Sequence, residues 1–285
     1  MDDRLRPLWD FGDLDETESR LRRQYEDERS DAGRAEVLTQ LARVEGLRGD
    51  FDRGDELIDD AVALAGDDEV ATARIDLERG RLTRSGGDDE SARPLFESAY
   101  SRALGAGQYF MATDAAHMVA LVGADRDGLI DWTRRGIELA EAHEEAAYWA
   151  GPLLNNLGWE YYEAGELSLA LDAFERALRA RERDPANGDG LSLARYAVGK
   201  TLRGLGRADE AIPLIEDAVA WATSRERPDG WSHEELAEDY AAVGRMDDAR
   251  KHALLAIPLL ESDDPSFADD VDRLARLGKL ASPER

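Results

Sequence analysis

Four histidines, His117, His143, His233 and His252, are the side chains in this sequence whose ordinary pKa lies near neutrality. Zinc ligation from one helix needs two histidines a turn apart, and no two of these are four residues apart. His143-Glu144-Glu145 and His233-Glu234-Glu235 both lack the second histidine of an HExxH site. The acidic runs Asp67-Asp68-Glu69, Asp88-Asp89-Glu90 and Asp263-Asp264 could offer oxygens to calcium. None has the alternating ligands and central glycine of an EF-hand loop, so they read as turns or helix N-termini, where carboxylates complement the helix dipole. Gly199-Lys200-Thr201 imitates the end of a phosphate-binding loop, but position 194 is Ala where that loop needs Gly, and no strand precedes it. With no cysteine and no GxSxG elbow, thiolate and α/β-hydrolase-type serine nucleophiles are absent as well. These residues predict no catalytic centre, no metal and no cofactor.

The charge narrows the partners. The chain has 285 residues and a formal net charge of −27, from 63 acidic and 36 basic side chains. A nucleic-acid surface needs a basic face to displace phosphate counterions, and an anionic membrane repels such a protein. Only Lys200, Lys251 and Lys279 are lysines; the remaining basic residues are arginine, a skew that fits either genome composition or a high-salt habitat. No apolar stretch is long enough to span a bilayer, and no apolar segment follows Met1-Asp2-Asp3-Arg4, so the expectation is a soluble cytoplasmic protein.

What positions the remaining polar residues is a repeat. The clearest unit runs Leu154, Leu157, Gly158, Tyr161, Ala170, Phe174 and Ala177, with Pro185 beyond. Taking Gly158 as an anchor, its offsets recur at Ala42, Gly80, Ala116, Gly199 and Ala237. Seven residues on stands Gly49, Gly87, Gly123, Gly165, Gly206 or Gly244, the residue type that closes a helix with a left-handed backbone. Twelve on stands a small residue (Gly54, Ala92, Gly128, Ala170, Ala211, Ala249). Sixteen on comes Ile58, Phe96, Trp132, Phe174, Ile215 or Ala253, expected to fill the space toward the next pair. Nineteen on comes Ala61, Ala99, Arg135, Ala177, Ala218 or Ala256, so the third repeat departs. Pro94 and Pro213 are expected near the first turn of second helices, and the stretches 184–190 and 227–230 in inter-repeat loops.

The unit at 154–185 resembles the tetratricopeptide repeat (TPR), a helix–turn–helix of about 34 residues. The resemblance implies a single all-α, right-handed TPR solenoid of about six repeats. Its expected parts are an N-terminal tether and helix over 1–36, with Trp9 and Phe11 as tethers and the helix near 15–29, then repeats over 37–260 and a C-terminal capping helix over 261–285. The cap is expected to bury Phe267, Val271, Leu274, Leu277 and Leu280.

The resemblance also implies that first helices line a groove for a peptide or extended protein segment. Offsets −3, +1 and +4 from each anchor share a helix face. They place Arg43, Arg81, Arg84, His117, Asn155, Trp159, Tyr162, Tyr196, Lys200 and Arg203 there; Asn156 at −2 matches a position where peptide-clamping TPR proteins carry Asn. Glu234 and Glu238 turn the face acidic in the last repeat. Arginine and lysine on this face would bind a segment that is acidic or ends in a carboxylate, although the same arginines could instead pair with acids on adjacent helices. A self-assembling scaffold and a ligand sensor acting with a separate effector are the alternatives.

Overall fold

The computed structural model describes residues 3–123, 125–183 and 187–282, which divide into two compact units after Leu153. In the first unit, α1 (Leu14–Asp27) precedes three helix pairs. These are α2 (Asp31–Arg48) with α3 (Phe51–Ala65), α4 (Glu69–Ser85) with α5 (Asp89–Gly105), and α6 (Tyr109–Leu121) with α7 (Arg126–Ala142). Single 3-10 turns lie at Arg6–Leu8 and Glu144–Trp149. The second unit begins at Leu154, after the first turn of α8 (Ala150–Glu163), which pairs with α9 (Leu167–Glu182). Then come α10 (Gly188–Gly204) with α11 (Ala208–Ser224), α12 (Gly230–Ala242) with α13 (Met246–Asp263), and α14 (Val271–Ala281). No strand occurs among the described residues. The six anchors fall in the first helix of each pair, so the repeat register is that of the sequence.

Many helices start on a side-chain cap, which explains part of the acidity. Asp13, Asp50, Asp68, Asp88, Asp125, Asp229 and Asp270 each accept a backbone N–H of the helix that follows, satisfying donors the helix leaves open. The acidic runs at 67–69 and 88–90 are therefore helix starts. Asn187 caps α10 and Gly188–Gly190 form its first turn, and Asp229 caps α12. Of the expected 184–190 loop, 184–186 lie outside the described residues. First helices close as expected: Gly49 sits at φ +84 with its N–H donated to the Gly46 carbonyl at 3.1 Å. A side chain there would be strained. Gly87, Gly165, Gly206 and Gly244 share the left-handed backbone, and Gly123 does not.

The bulky residue at +16 lies against the anchor of its own pair, while Phe96 and Ile215 also share core clusters with α6 and α12 of the next pair. A Cβ on Gly158 would stand 2.4 Å from Phe174, one on Gly80 2.6 Å from Phe96, and one on Gly199 2.4 Å from Ile215. The anchor is small because the second helix's core residue occupies the place of its side chain. In the third repeat the register slips by one: Arg135 is exposed, and Gly136 takes the buried place, 2.9 Å from a Leu153 methyl if a Cβ is added. Pro94 and Pro213 are the sixth residues of α5 and α11, in the second turn rather than the first, so each omits one intrahelical hydrogen bond.

The termini are fastened to the repeats. Leu21 of α1 is fully buried against α2. Phe267 and Leu277 are fully buried at the other end, with Leu274 and Leu280 packed beside them, but Val271 is 74% exposed as the first residue of α14. Arg273 of α14 grips Glu234 of α12 at 2.5 Å and Asp264 at 2.7 Å.

Candidate interaction face

The residues expected on the first-helix face belong to α2, α4, α6, α8 and α10, and acids of neighbouring first helices meet several of them. In the first unit, Arg43 of α2 lies 3.7 Å from Glu78 of α4. Arg81 of α4 reaches Asp114 of α6 at 2.5 Å and Glu78 at 3.1 Å. Glu78 and Asp114 are buried, at 1% and 5% exposure. In the second unit, Lys200 of α10 pairs with Glu235 of α12, and Arg203 reaches Glu235 at 2.8 Å and Glu238 at 2.6 Å. Arg43–Glu78, Arg81–Asp114 and Lys200–Glu235 follow one rule: the cation at +1 of one repeat pairs with the carboxylate at −2 of the next. Within each unit the first helices therefore carry half-exposed cations over buried acids.

Offset −2 was noted in the sequence only at Asn156. Across all anchors it gives Gln40, Glu78, Asp114, Asn156, Ala197 and Glu235. Gln40, at 3% exposure, accepts from the Trp9 indole at 2.9 Å. This recurrence was the available signal for the buried acids.

The electrostatics follow from burial and pairing. Burial pushes the Glu235 carboxyl up, but Lys200 and Arg203 outweigh it and hold the group below the usual carboxylate range. Asp239, fully buried one turn on, has only Arg203 at 4.0 Å. Burial and the neighbouring Glu235 charge push it up to about 7. Burial lowers His117; Asp114 opposes this while Arg81 and Arg84 add to it, so the imidazole is neutral at pH 7. His117 packs beside Trp149, with ring centroids 5.3 Å apart.

The other expected residues take mixed roles. Trp159 packs edge-on against Phe174 and Tyr162, at centroid distances of 5.1 and 5.4 Å, so its ring is partly structural. Tyr196 lies under Lys200, 5.6 Å from Nζ to the ring centroid. Asn155 and Asn156 are half-buried on α8, and Asn155 Oδ1 is buried without a hydrogen-bond donor. Arg84 has a buried Nε without a hydrogen bond, its ion contact being Asp89 at 3.8 Å. The indole Nε1 of Trp149 is likewise buried and unpaired. The histidines are less scattered than the sequence implied, since His233 and His252 meet Nδ1 to Nδ1 at 2.9 Å. Among the described residues, no group of three His, Asp or Glu side chains is placed to hold a metal ion, and no helix is long and apolar enough to cross a membrane.

Helix pairs in tandem define the class of helical repeat proteins. Solved structures of this class superpose on the chain. One is a STAND signal-transduction ATPase with a tetratricopeptide repeat sensor from Pyrococcus horikoshii, with TM-score 0.70, 15% identity, and 94% of this chain and 42% of that one covered. RapI in its apo form gives TM-score 0.69 at 13% identity, covering 94% and 78%. BtubC from P. vanneervenii gives 0.59 at 19%, covering 79% and 93%. No curated protein matches the chain significantly in sequence. The family model of the tetratricopeptide repeat matches residues 153–183, the unit from which the repeat was read. The chain thus carries a tetratricopeptide repeat over 153–183 and has the all-α fold of these repeat structures.

Proposed function

We propose that this protein is a non-catalytic adaptor whose first-helix face receives an extended segment of a partner protein. The observation that carries the reading is the pair of unsatisfied polar atoms in the first unit, Arg84 Nε and Trp149 Nε1; the second unit has its own at Asn155 Oδ1. A buried donor or acceptor without a partner costs about 1–3 kcal/mol, and a bound peptide backbone or carboxylate supplies the missing partners. The buried acids point the same way, because apolar residues would stabilise the repeats as well or better.

The segment carries a carboxylate in this reading, which meets Arg84 in the first unit. Arg81, like Lys200 and Arg203 of the second unit, is already engaged by buried acids. The test is selection of a random peptide library on the full chain, followed by affinity measurements on Arg81→Glu/Arg84→Glu and on Lys200→Glu/Arg203→Glu. Binding at least about tenfold weaker in the first variant is expected, or about 1.4 kcal/mol. Equal affinity for both variants and the wild type sinks the reading.

A further inference from the structure

Residues 3–12, which precede α1, run across the first-helix face of the first unit. Asp3 forms a bidentate pair with Arg74 of α4 at 2.9 and 3.0 Å, and Arg74 is only 4% exposed. Leu5 is buried at 1% exposure. The Arg6 guanidinium stacks 3.6 Å over the Tyr148 ring and 5.0 Å from the Phe110 ring centroid on α6. Trp9 donates to Gln40 of α2, and Arg43 covers its ring at 5.2 Å.

A terminal cap covers the end of a repeat array, and α1 does so through Leu21, in a cluster that Leu5 shares and against which Leu8 and Trp9 pack. Beyond that cluster the segment touches α2, α4 and α6, one first helix from each of three successive repeats, as a bound ligand would. Its ends are held by ion pairs, a cation–π contact and a side-chain hydrogen bond, all of which another chain can reproduce. A pocket of about 110 Å³ stays open beside it, lined by Glu78, Asp114 and the unpaired Trp149 indole.

We infer that residues 3–9 are a ligand bound in cis, and that the same face takes in trans a partner segment with their chemistry: a carboxylate, an apolar residue two positions on, an arginine next, and an aromatic three further. This rests on the adaptor reading and adds its regulation, since partner affinity falls by the fraction of molecules whose own segment is docked.

The test uses a labelled synthetic peptide of residues 1–13 and the full chain. The receptors are wild type and Asp3→Ala/Leu5→Ala/Arg6→Ala, with helix content checked by circular dichroism. The released variant is expected to bind the peptide at least about tenfold more tightly than wild type, and to lose it when the peptide carries Asp3→Lys or the receptor also carries Arg74→Glu. A folded released variant that binds no better than wild type overturns the inference. Should that variant unfold, hydrogen exchange on the wild type decides. Amides of Leu8 and Trp9 exchanging much faster than those of α2 support an independently opening segment, and exchange matching α2 refutes it. A library-selected peptide that binds wild type and released variant equally would leave the adaptor reading standing and remove this one, whereas no binding by either peptide removes both.

Discussion

Replacing Glu235 by glutamine tests the pairing rule where it is strongest. Glu235 is 1% exposed and holds both Lys200 and Arg203. At roughly 3 Å and an effective dielectric near 20, each contact is worth about 5–6 kcal/mol before desolvation, which cancels most of it. Removing one partner from a buried pair costs about 3–5 kcal/mol. Here Lys200 and Arg203 keep 24% and 25% exposure and can rehydrate, and Arg203 can turn to Asp239 at 4.0 Å. The expected loss is therefore about 2 kcal/mol. Urea unfolding followed by circular dichroism measures it, with hydrogen exchange locating the loss in α10–α13, because two compact units need not unfold together. The pH dependence has a fixed sign. A carboxyl held below its ordinary value of 4.5 contributes stability that is present above that value and lost as pH falls through its folded pKa. The gap between wild type and variant should thus be full at pH 7 and shrink in acid below about 4.5. The same change should let the Asp239 pKa fall from about 7. A variant within about 0.5 kcal/mol of wild type at pH 7 would refute the reasoning.

Three further outcomes are expected. Gly158→Ala gains about 1 kcal/mol of helix propensity but drives a methyl to 2.4 Å from Phe174, so a net loss of about 1–2 kcal/mol follows; adding Phe174→Leu should show favourable coupling of about 1 kcal/mol in a double-mutant cycle. His252, lowered to about 4 by burial and the His233 ring, should make the last repeat lose stability as pH falls from about 6.5 toward 4, and His252→Gln should flatten that slope in hydrogen exchange of α12 and α13. Arg273→Ala leaves Glu234 buried without its partner, and about 2 kcal/mol is lost, read as faster proteolysis within 264–282.

The repeat was legible because glycine seven residues after the anchor, and a small anchor facing Phe96, Phe174 or Ile215, are demands the backbone itself makes. The cations of the face were legible from the same register. Their partners were not: among 63 acidic residues, nothing local separates buried Glu78 or Glu235 from the solvated ones. Burial there is decided by the next repeat, and the recurrence at −2 shows only when every anchor is compared. The course of residues 3–12 was beyond reach for a similar reason. Asp3 and Arg74 are 71 positions apart, and a segment as short as 3–12 carries no periodicity to place it.

Hydrogen-exchange mass spectrometry of the full chain, with and without a saturating library-selected peptide, tests the interaction face most directly. Protection of α2, α4 and α6, strongest around Arg81 and Arg84, is the expected result. Protection confined to the second helices α3, α5 and α7, or no change at saturation, would contradict it.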